Sequence, residues 1–132
     1  MIKIKNLNSS ITIPGYYNPN GYTFEEGLKS VGSGWSSLIE LAFEELKKYP
    51  DFKIVQVKEK FGKLRIYFDE IFDKNMTKHD FKNKDYQDFY QFLLKLELKS
   101  KEICENCGKK GKLIEKNGWL ITSCAKCFDN KS

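Results

Sequence analysis

The sequence predicts an α+β fold: a small antiparallel sheet packed with two main helices, followed by a C-terminal four-cysteine zinc ribbon. Three observations carry this. Trp35, Leu38, Ile39, Ala42, Phe43, Leu46 and Tyr49 recur at helical spacing, with Glu40, Glu44, Glu45, Lys47 and Lys48 on the remaining face. Residues 52–68 are β-prone on both sides of Phe61-Gly62. Two C-x2-C pairs, Cys104/Cys107 and Cys124/Cys127, stand sixteen residues apart.

The chain opens with Met1-Ile2-Lys3-Ile4-Lys5, whose alternation predicts a short strand and lacks the apolar core of a signal peptide. A second β-prone piece, Ile11-Thr12-Ile13, leads into a loop from Pro14 to Tyr22 that is dense in turn formers and carries Tyr16, Tyr17 and Tyr22. Tyrosines there either contact a ligand, combining a flat apolar ring with a polar tip, or cover the edge of the core. Thr23 and Glu26 form a capping-box pattern for a short helix. Gly32-Ser33-Gly34 breaks it, and Ser33 is the expected N-cap of the Trp35 helix, which Pro50 closes.

A two-residue turn at Phe61-Gly62 pairs Lys60 with Lys63, Lys58 with Arg65, Val57 with Ile66, Gln56 with Tyr67 and Val55 with Phe68. One face then holds Val55, Val57, Leu64, Ile66 and Phe68, with Glu59 at its end, and packs on the Trp35 helix. The other holds Gln56, Lys58, Lys60, Lys63, Arg65 and Tyr67. Like charges directly across a ladder repel, so an anion between them would relieve the face; the alternative is a solvated face of a lysine-rich hairpin. The register decides between a stripe and no stripe. Arg65 is the single arginine beside 22 lysines, and its planar five-donor fork is something lysine does not supply.

After a charged, irregular stretch holding the lone His79, helical spacing resumes from an Asn83 cap through Tyr86, Phe89, Leu93, Leu96, Ser100 and Ile103. Its apolar residues exceed one stripe, so this helix packs on two surfaces or contributes to a homodimer. It runs directly into Cys104. Between the cysteine pairs, Asn117-Gly118 between two β-prone pieces is a type I′ hairpin signal. Knuckle, hairpin and knuckle describe a zinc ribbon holding one structural Zn2+ through Cys104, Cys107, Cys124 and Cys127; two disulfides in a secreted domain are the competing reading. The expected organisation is a core domain over 1–103 and the ribbon over 104–132.

Gly34-Trp35-x-x-Leu38-Ile39, then Gln56-Val57-Lys58-Glu59-Lys60-Phe61-Gly62-x-Leu64-Arg65-x-Tyr67, then Cys104-x2-Cys107-Gly108 and Trp119-x-x-Thr122-x-Cys124-x2-Cys127 resemble a group of small uncharacterised phage and prophage proteins. The pattern leaves out residues 1–22 and 69–83. Members of that group often end with His where this chain has Cys127, which serves zinc equally well. The resemblance implies a viral or prophage origin and a zinc ribbon, and it carries over no established activity.

The formal charge is +5, and four thiolates with one Zn2+ reduce it to +3, which permits an anionic partner without demanding one. No apolar run approaches a membrane span, so no membrane is expected and a cytoplasmic location is, the host's if the chain is viral. One histidine, no P-loop and cysteines saturated by a metal make the expectation a non-enzyme. Asp69 and Glu70 as a Mg2+ pair are a weak alternative. The leading expectation is capture of an anionic or nucleotide-type ligand by Gln56, Lys58, Lys60, Lys63, Arg65 and Tyr67 with Tyr16, Tyr17 and Tyr22, in an anti-defence role that sequesters a host immune signal. The alternatives are nucleic-acid binding through the hairpin and the ribbon lysines Lys109, Lys110, Lys112 and Lys116, or a protein-interaction module.

Overall fold

The computed structural model describes residues 13–70 and 84–130. The Met1–Asn6 strand, most of the second β-prone piece, His79 and the Asn83 cap lie outside them. The elements in order are α1 (Phe24–Leu28), a 3-10 turn (Ser33–Trp35), α2 (Ser36–Leu46), β1 (Phe52–Lys60), β2 (Lys63–Glu70), α3 (Lys84–Ser100), β3 (Lys112–Lys116), β4 (Trp119–Ser123) and α4 (Ala125–Asn130). Among the described residues two separate two-stranded antiparallel sheets, β1-β2 and β3-β4, stand beside the helices, an α+β fold.

The capping box forms as the spacing predicts: the Thr23 hydroxyl accepts from Glu26 N–H while the Glu26 carboxylate accepts from Thr23 N–H. Ser33 does not cap the next helix. A 3-10 turn intervenes, α2 begins at Ser36, and the Ser33 hydroxyl donates instead to the Asn106 carbonyl at 3.3 Å.

Phe61 and Gly62 both have positive φ, 55° and 80°, as a type I′ turn requires. The Glu59 carboxylate secures the turn by accepting from Gly62 N–H at 2.7 Å. The register matches the sequence reading from Lys60↔Lys63 through Gln56↔Tyr67. It then departs. A β-bulge at Val55 pairs Ile54, and not Val55, with Phe68. The bulge turns the consecutive carbonyls of Ile54 and Val55 to the outer edge of β1, where Tyr22 N–H and Asn18 N–H donate to them at 2.7 and 2.8 Å.

Ile54, Val57 and Leu64 thus face the core, with Trp35, Leu38, Ile39 and Ala42 from the α2 region and Phe89, Leu93 and Leu96 from α3. Helix α3 packs on both α2 and β2, which absorbs the excess of apolar residues read from its sequence, while Tyr90 and Leu98 remain exposed. At the open end of the hairpin, Tyr49, Phe52, Phe68 and Phe89 form an aromatic cluster with ring centroids 4.8–6.0 Å apart. Ser100, fully buried, accepts from the outward-facing Leu64 N–H of β2 at 2.9 Å.

The cysteine-bearing segment is docked against this core along a backbone contact. Gly34 N–H donates to Glu105 O at 2.9 Å, the Trp35 indole N–H to Ile103 O at 2.9 Å, and the Thr122 hydroxyl to Gly62 O at 2.6 Å. A Cβ on Gly34 would lie 2.0 Å from the Cys104 carbonyl oxygen, and one on Gly62 would lie 2.5 Å from Leu113 Cδ1. Two glycines in the resembling motifs are therefore docking positions. Gly34→Ala should lower stability by about 2 kcal/mol or more, because backbone atoms on both sides must separate. Thermal denaturation of the metal-loaded chain measures it, and an unchanged Tm would show that the contact yields freely.

Candidate functional site

Two groups of residues carry chemistry, the four cysteines and the polar face of the β1-β2 hairpin. The first cysteine pair lies on a tight turn in which Gly108, at φ 82°, donates its N–H to Cys104 O at 2.9 Å. The second pair sits at the start of α4, where Cys127 N–H points at Cys124 Sγ from 3.4 Å. The β3-β4 hairpin brings the pairs together through an Asn117-Gly118 turn with φ of 55° and 86°, as the Asn-Gly signal predicts. All four sulfurs lie within 4.8 Å of one another, and Cys107 Sγ and Cys124 Sγ are 3.6 Å apart. For a metal–sulfur bond near 2.3 Å, a regular tetrahedron sets its sulfurs about 3.8 Å apart. The four cysteines form a cluster able to hold one metal ion.

Their electrostatics favour thiolates unequally. Burial works against ionisation of Cys104, but backbone N–H groups of Cys124, Cys107 and Asn106 outweigh it and bring the thiol down to about 6. The Cys127 N–H lowers Cys124 against a smaller effect of desolvation. At Cys127 the Asn106 amide pulls downward, but the neighbouring sulfurs and desolvation together push the thiol up to about 11. A cation at the centre would favour the Cys127 thiolate over the thiol that its sulfur neighbours and desolvation stabilise. Four thiolates leave no ligand position for water, so the donor set suits a structural ion.

The second group is the polar face of the β1-β2 hairpin. Cross-strand pairing places Lys53 opposite Asp69, Gln56 opposite Tyr67, Lys58 opposite Arg65 and Lys60 opposite Lys63. The stripe read from the sequence therefore exists, with an anion already in it. Glu97 of α3 reaches Lys63 Nζ through Oε2 and Arg65 Nε through Oε1, both at 3.4 Å. Its side chain is only 17% exposed, which strengthens these contacts relative to a surface pair. Sequence reasoning missed Glu97. Its signal was a single carboxylate among the apolar residues Phe92–Leu98, next to the buried Leu93 and Leu96.

Lys58 and Lys60 have no carboxylate within ion-pair distance among the described residues, and the Lys60 ammonium lies 5.8 Å from the Phe61 ring centroid. The Arg65 guanidinium stands 5.6 Å from the Tyr67 ring centroid.

The tyrosine loop folds onto the β1 side of this face. The Gln56 amide donates to Gly15 O at 2.9 Å, and the Tyr17 hydroxyl donates to Asp69 Oδ2 at 3.3 Å. Desolvation, reinforced by the Asp69 charge and hydrogen bond, holds the Tyr17 phenol above its ordinary range. Tyr16 and Tyr17 are 67% and 56% exposed. Tyr22 is placed differently: it is buried, with its hydroxyl on the Tyr16 carbonyl, and so holds the loop from beneath. Of the nine side chains grouped from the sequence, the face collects Gln56, Lys58, Lys60, Lys63, Arg65 and Tyr67, the loop brings Tyr17 beside it through Asp69, Tyr16 stands exposed on the same loop, and Tyr22 joins the core.

Titration with Co2+ should give a one-to-one endpoint and the absorption of a tetrahedral thiolate site, and Cys124→Ser should lose both. Absorption spectroscopy checks this; a Cys124→Ser protein that still saturates at one equivalent would break the four-cysteine assignment. No helix among the described residues is long and apolar enough to cross a membrane. No family model, curated protein or solved structure matches the chain.

Proposed function

We propose that this chain is a non-catalytic binding protein, braced by a structural Zn2+ in a ribbon, that captures a small anionic ligand of nucleotide type on the polar face of β1-β2. The observation that carries the reading is convergence. Residues far apart in sequence, the loop over residues 15–17 on one side and Lys58, Lys60 and Arg65 on the other, share one face through the Gln56–Gly15 and Tyr17–Asp69 bonds. Cations there suit phosphate oxygens, and the exposed tyrosine rings suit a base. Glu97 marks where an anion is favoured, since it already bridges Lys63 and Arg65. A phosphate would extend this pairing to Lys58 and Lys60, or displace the carboxylate from Arg65. The resemblance to phage and prophage proteins supports sequestration of a host immune nucleotide in the host cytoplasm as the biological setting. Zn2+ fits as the ion because all four donors are soft thiolates at tetrahedral spacing.

One observation favours a polymer as a second reading. Phe61 in the hairpin turn and Trp119 in β4 are 63% and 76% exposed, and the Lys60 ammonium lies 5.8 Å from the Phe61 ring centroid. Exposed rings beside lysines are how single strands are stacked and held.

Thermal-shift screening of mono-, di- and cyclic nucleotides tests the first reading. At least one class should raise Tm. Arg65→Ala and Lys58→Ala should abolish that shift while leaving the ligand-free Tm within a few degrees. Glu97→Gln should tighten binding by about threefold to tenfold, by removing a competing carboxylate. No shift with any nucleotide, together with salt-dependent binding of single-stranded DNA that Trp119→Ala abolishes, would replace the small ligand with a polymer.

A further inference from the structure

Each strand edge in this fold has a different fate. The outer edge of β1 is covered by the tyrosine loop through Asn18 and Tyr22, and that of β2 by Ser100 of α3. The outer edge of β4 is closed by Glu105, which donates its N–H to Thr122 O and accepts from Thr122 N–H through its carboxylate, both at 3.0 Å. β3 remains. Its approach is closed at Gly111, whose N–H donates to Glu102 O at 2.9 Å. Beyond that, the two-residue Asn117-Gly118 turn makes Lys116↔Trp119 a hydrogen-bonded pair, so the ladder bonds fall at residues 116, 114 and 112. The backbone groups of Leu113 and Glu115 therefore point away from β4. Among the described residues nothing bonds to them.

This open edge borders a groove. A cavity of about 640 Å³ runs between β3 and α4, with Ile114, Ala125 and Phe128 as its apolar lining and Lys110 and Lys112 at its rim. Lys116 closes one end, its ammonium 4.7 Å from the Phe128 ring centroid and bonded to Phe128 O at 3.2 Å. Neither Lys110 nor Lys112 has a carboxylate within ion-pair distance among the described residues. Glu115 also borders the groove, but strand parity puts its side chain on the hairpin face of Leu120, opposite to that of Lys112 and Ile114, so the cations Lys110 and Lys112 outnumber the one acid there.

We propose that β3 and this groove form a docking site for an extended peptide segment of a partner protein, which adds as a strand antiparallel or parallel to β3. Its backbone pairs with the outward N–H and C=O groups of Leu113 and Glu115. Its alternate side chains, small and aliphatic, enter the groove over Ile114 and Phe128. Acidic residues at one end of the segment meet Lys110 and Lys112, and this charge complementarity selects an acidic–aliphatic sequence over a basic one. The site uses no residue of the β1-β2 face, so ligand capture there and peptide docking here stand or fall separately.

The test uses the metal-loaded full chain and a capped, fluorescein-labelled peptide of two aspartates followed by alternating valine and threonine, read by fluorescence polarisation and by amide chemical shifts. Binding should perturb the amides of Leu113 and Glu115. Glu115→Pro removes an outward N–H and blocks strand addition while leaving the ladder to β4 intact, as edge prolines do, and should weaken binding by about tenfold or more. Glu115→Ala, which keeps the N–H, should bind like the parent chain. A peptide with lysines in place of the aspartates should bind more weakly. Equal affinity for Glu115→Pro with unchanged metal content, equal affinity for the lysine peptide, or no polarisation change up to millimolar chain would each overturn the proposal. Self-association that Glu115→Pro abolishes would overturn it in favour of a second copy pairing through β3.

Discussion

The close approach of the Gly32–Trp35 backbone to the turn from Ile103 to Gly108 sets the terms for the rest of the molecule. Hydrogen bonds from Gly34 N–H and the Trp35 indole tie the start of α2 to the cysteine turn, and the Thr122–Gly62 bond ties the hairpin turn to β4. These partners are mostly backbone groups, which have no side-chain freedom with which to adapt. Their positions must be right together or the contact is lost. The cysteine cluster lies immediately behind this junction, with Cys104 fully buried in it. A metal ion there would therefore fix more than the β3-β4 hairpin. It would fix the turn on which α2 begins and the turn at which the β1-β2 hairpin reverses.

The polar face of that hairpin shows how a fold tolerates crowded cations. Lys58, Arg65, Lys60 and Lys63 stand in opposed pairs, an arrangement that costs free energy unless negative charge is near. Glu97 supplies it for Lys63 and Arg65 from a neighbouring helix, and Asp69 supplies it at the other end, opposite Lys53 and within reach of Tyr17. Lys58 and Lys60 lie between and beside these compensated positions. The face is thus graded: neutralised along the α3 side by Glu97, and still positive along β1 at Lys58 and Lys60.

How much of this was legible in the sequence depends on whether a residue's role is set locally. The capping box at Thr23, the type I′ turns at Phe61-Gly62 and Asn117-Gly118, and the C-x2-C knuckles are fixed by neighbours within a few positions, and each appears where its spacing places it. The Val55 bulge was not legible, because an inserted residue leaves no mark on an alternating run; the Asn18 and Tyr22 donors that favour it come from more than thirty residues away. Ser33 reads as a helix cap by local rules and is drawn off by Asn106, seventy-three positions downstream. Glu97 reads as a solvated helix residue until β2 is laid beside α3. The docking glycines are the intermediate case. Gly34 and Gly62 stand inside the motifs that carry the resemblance, yet only the packed structure shows that what they have in common is contact with the cysteine-bearing segment.

The Trp35 indole bond to Ile103 spans sixty-eight positions, and it bears on the order of events during synthesis. Helix α2 and the β1-β2 hairpin are local units that can form as soon as they leave the ribosome, whereas the partners of Gly34, Trp35 and Gly62 emerge only with residues 103–122. Until then the start of α2 and the hairpin turn lack their covering. The four cysteines, contained within twenty-four residues, can gather an ion as a local event and arrive as a formed piece. A supply of metal at that moment would govern the rate at which nascent chains complete their cores, and a cell short of it would accumulate chains open at this junction and accessible to proteases.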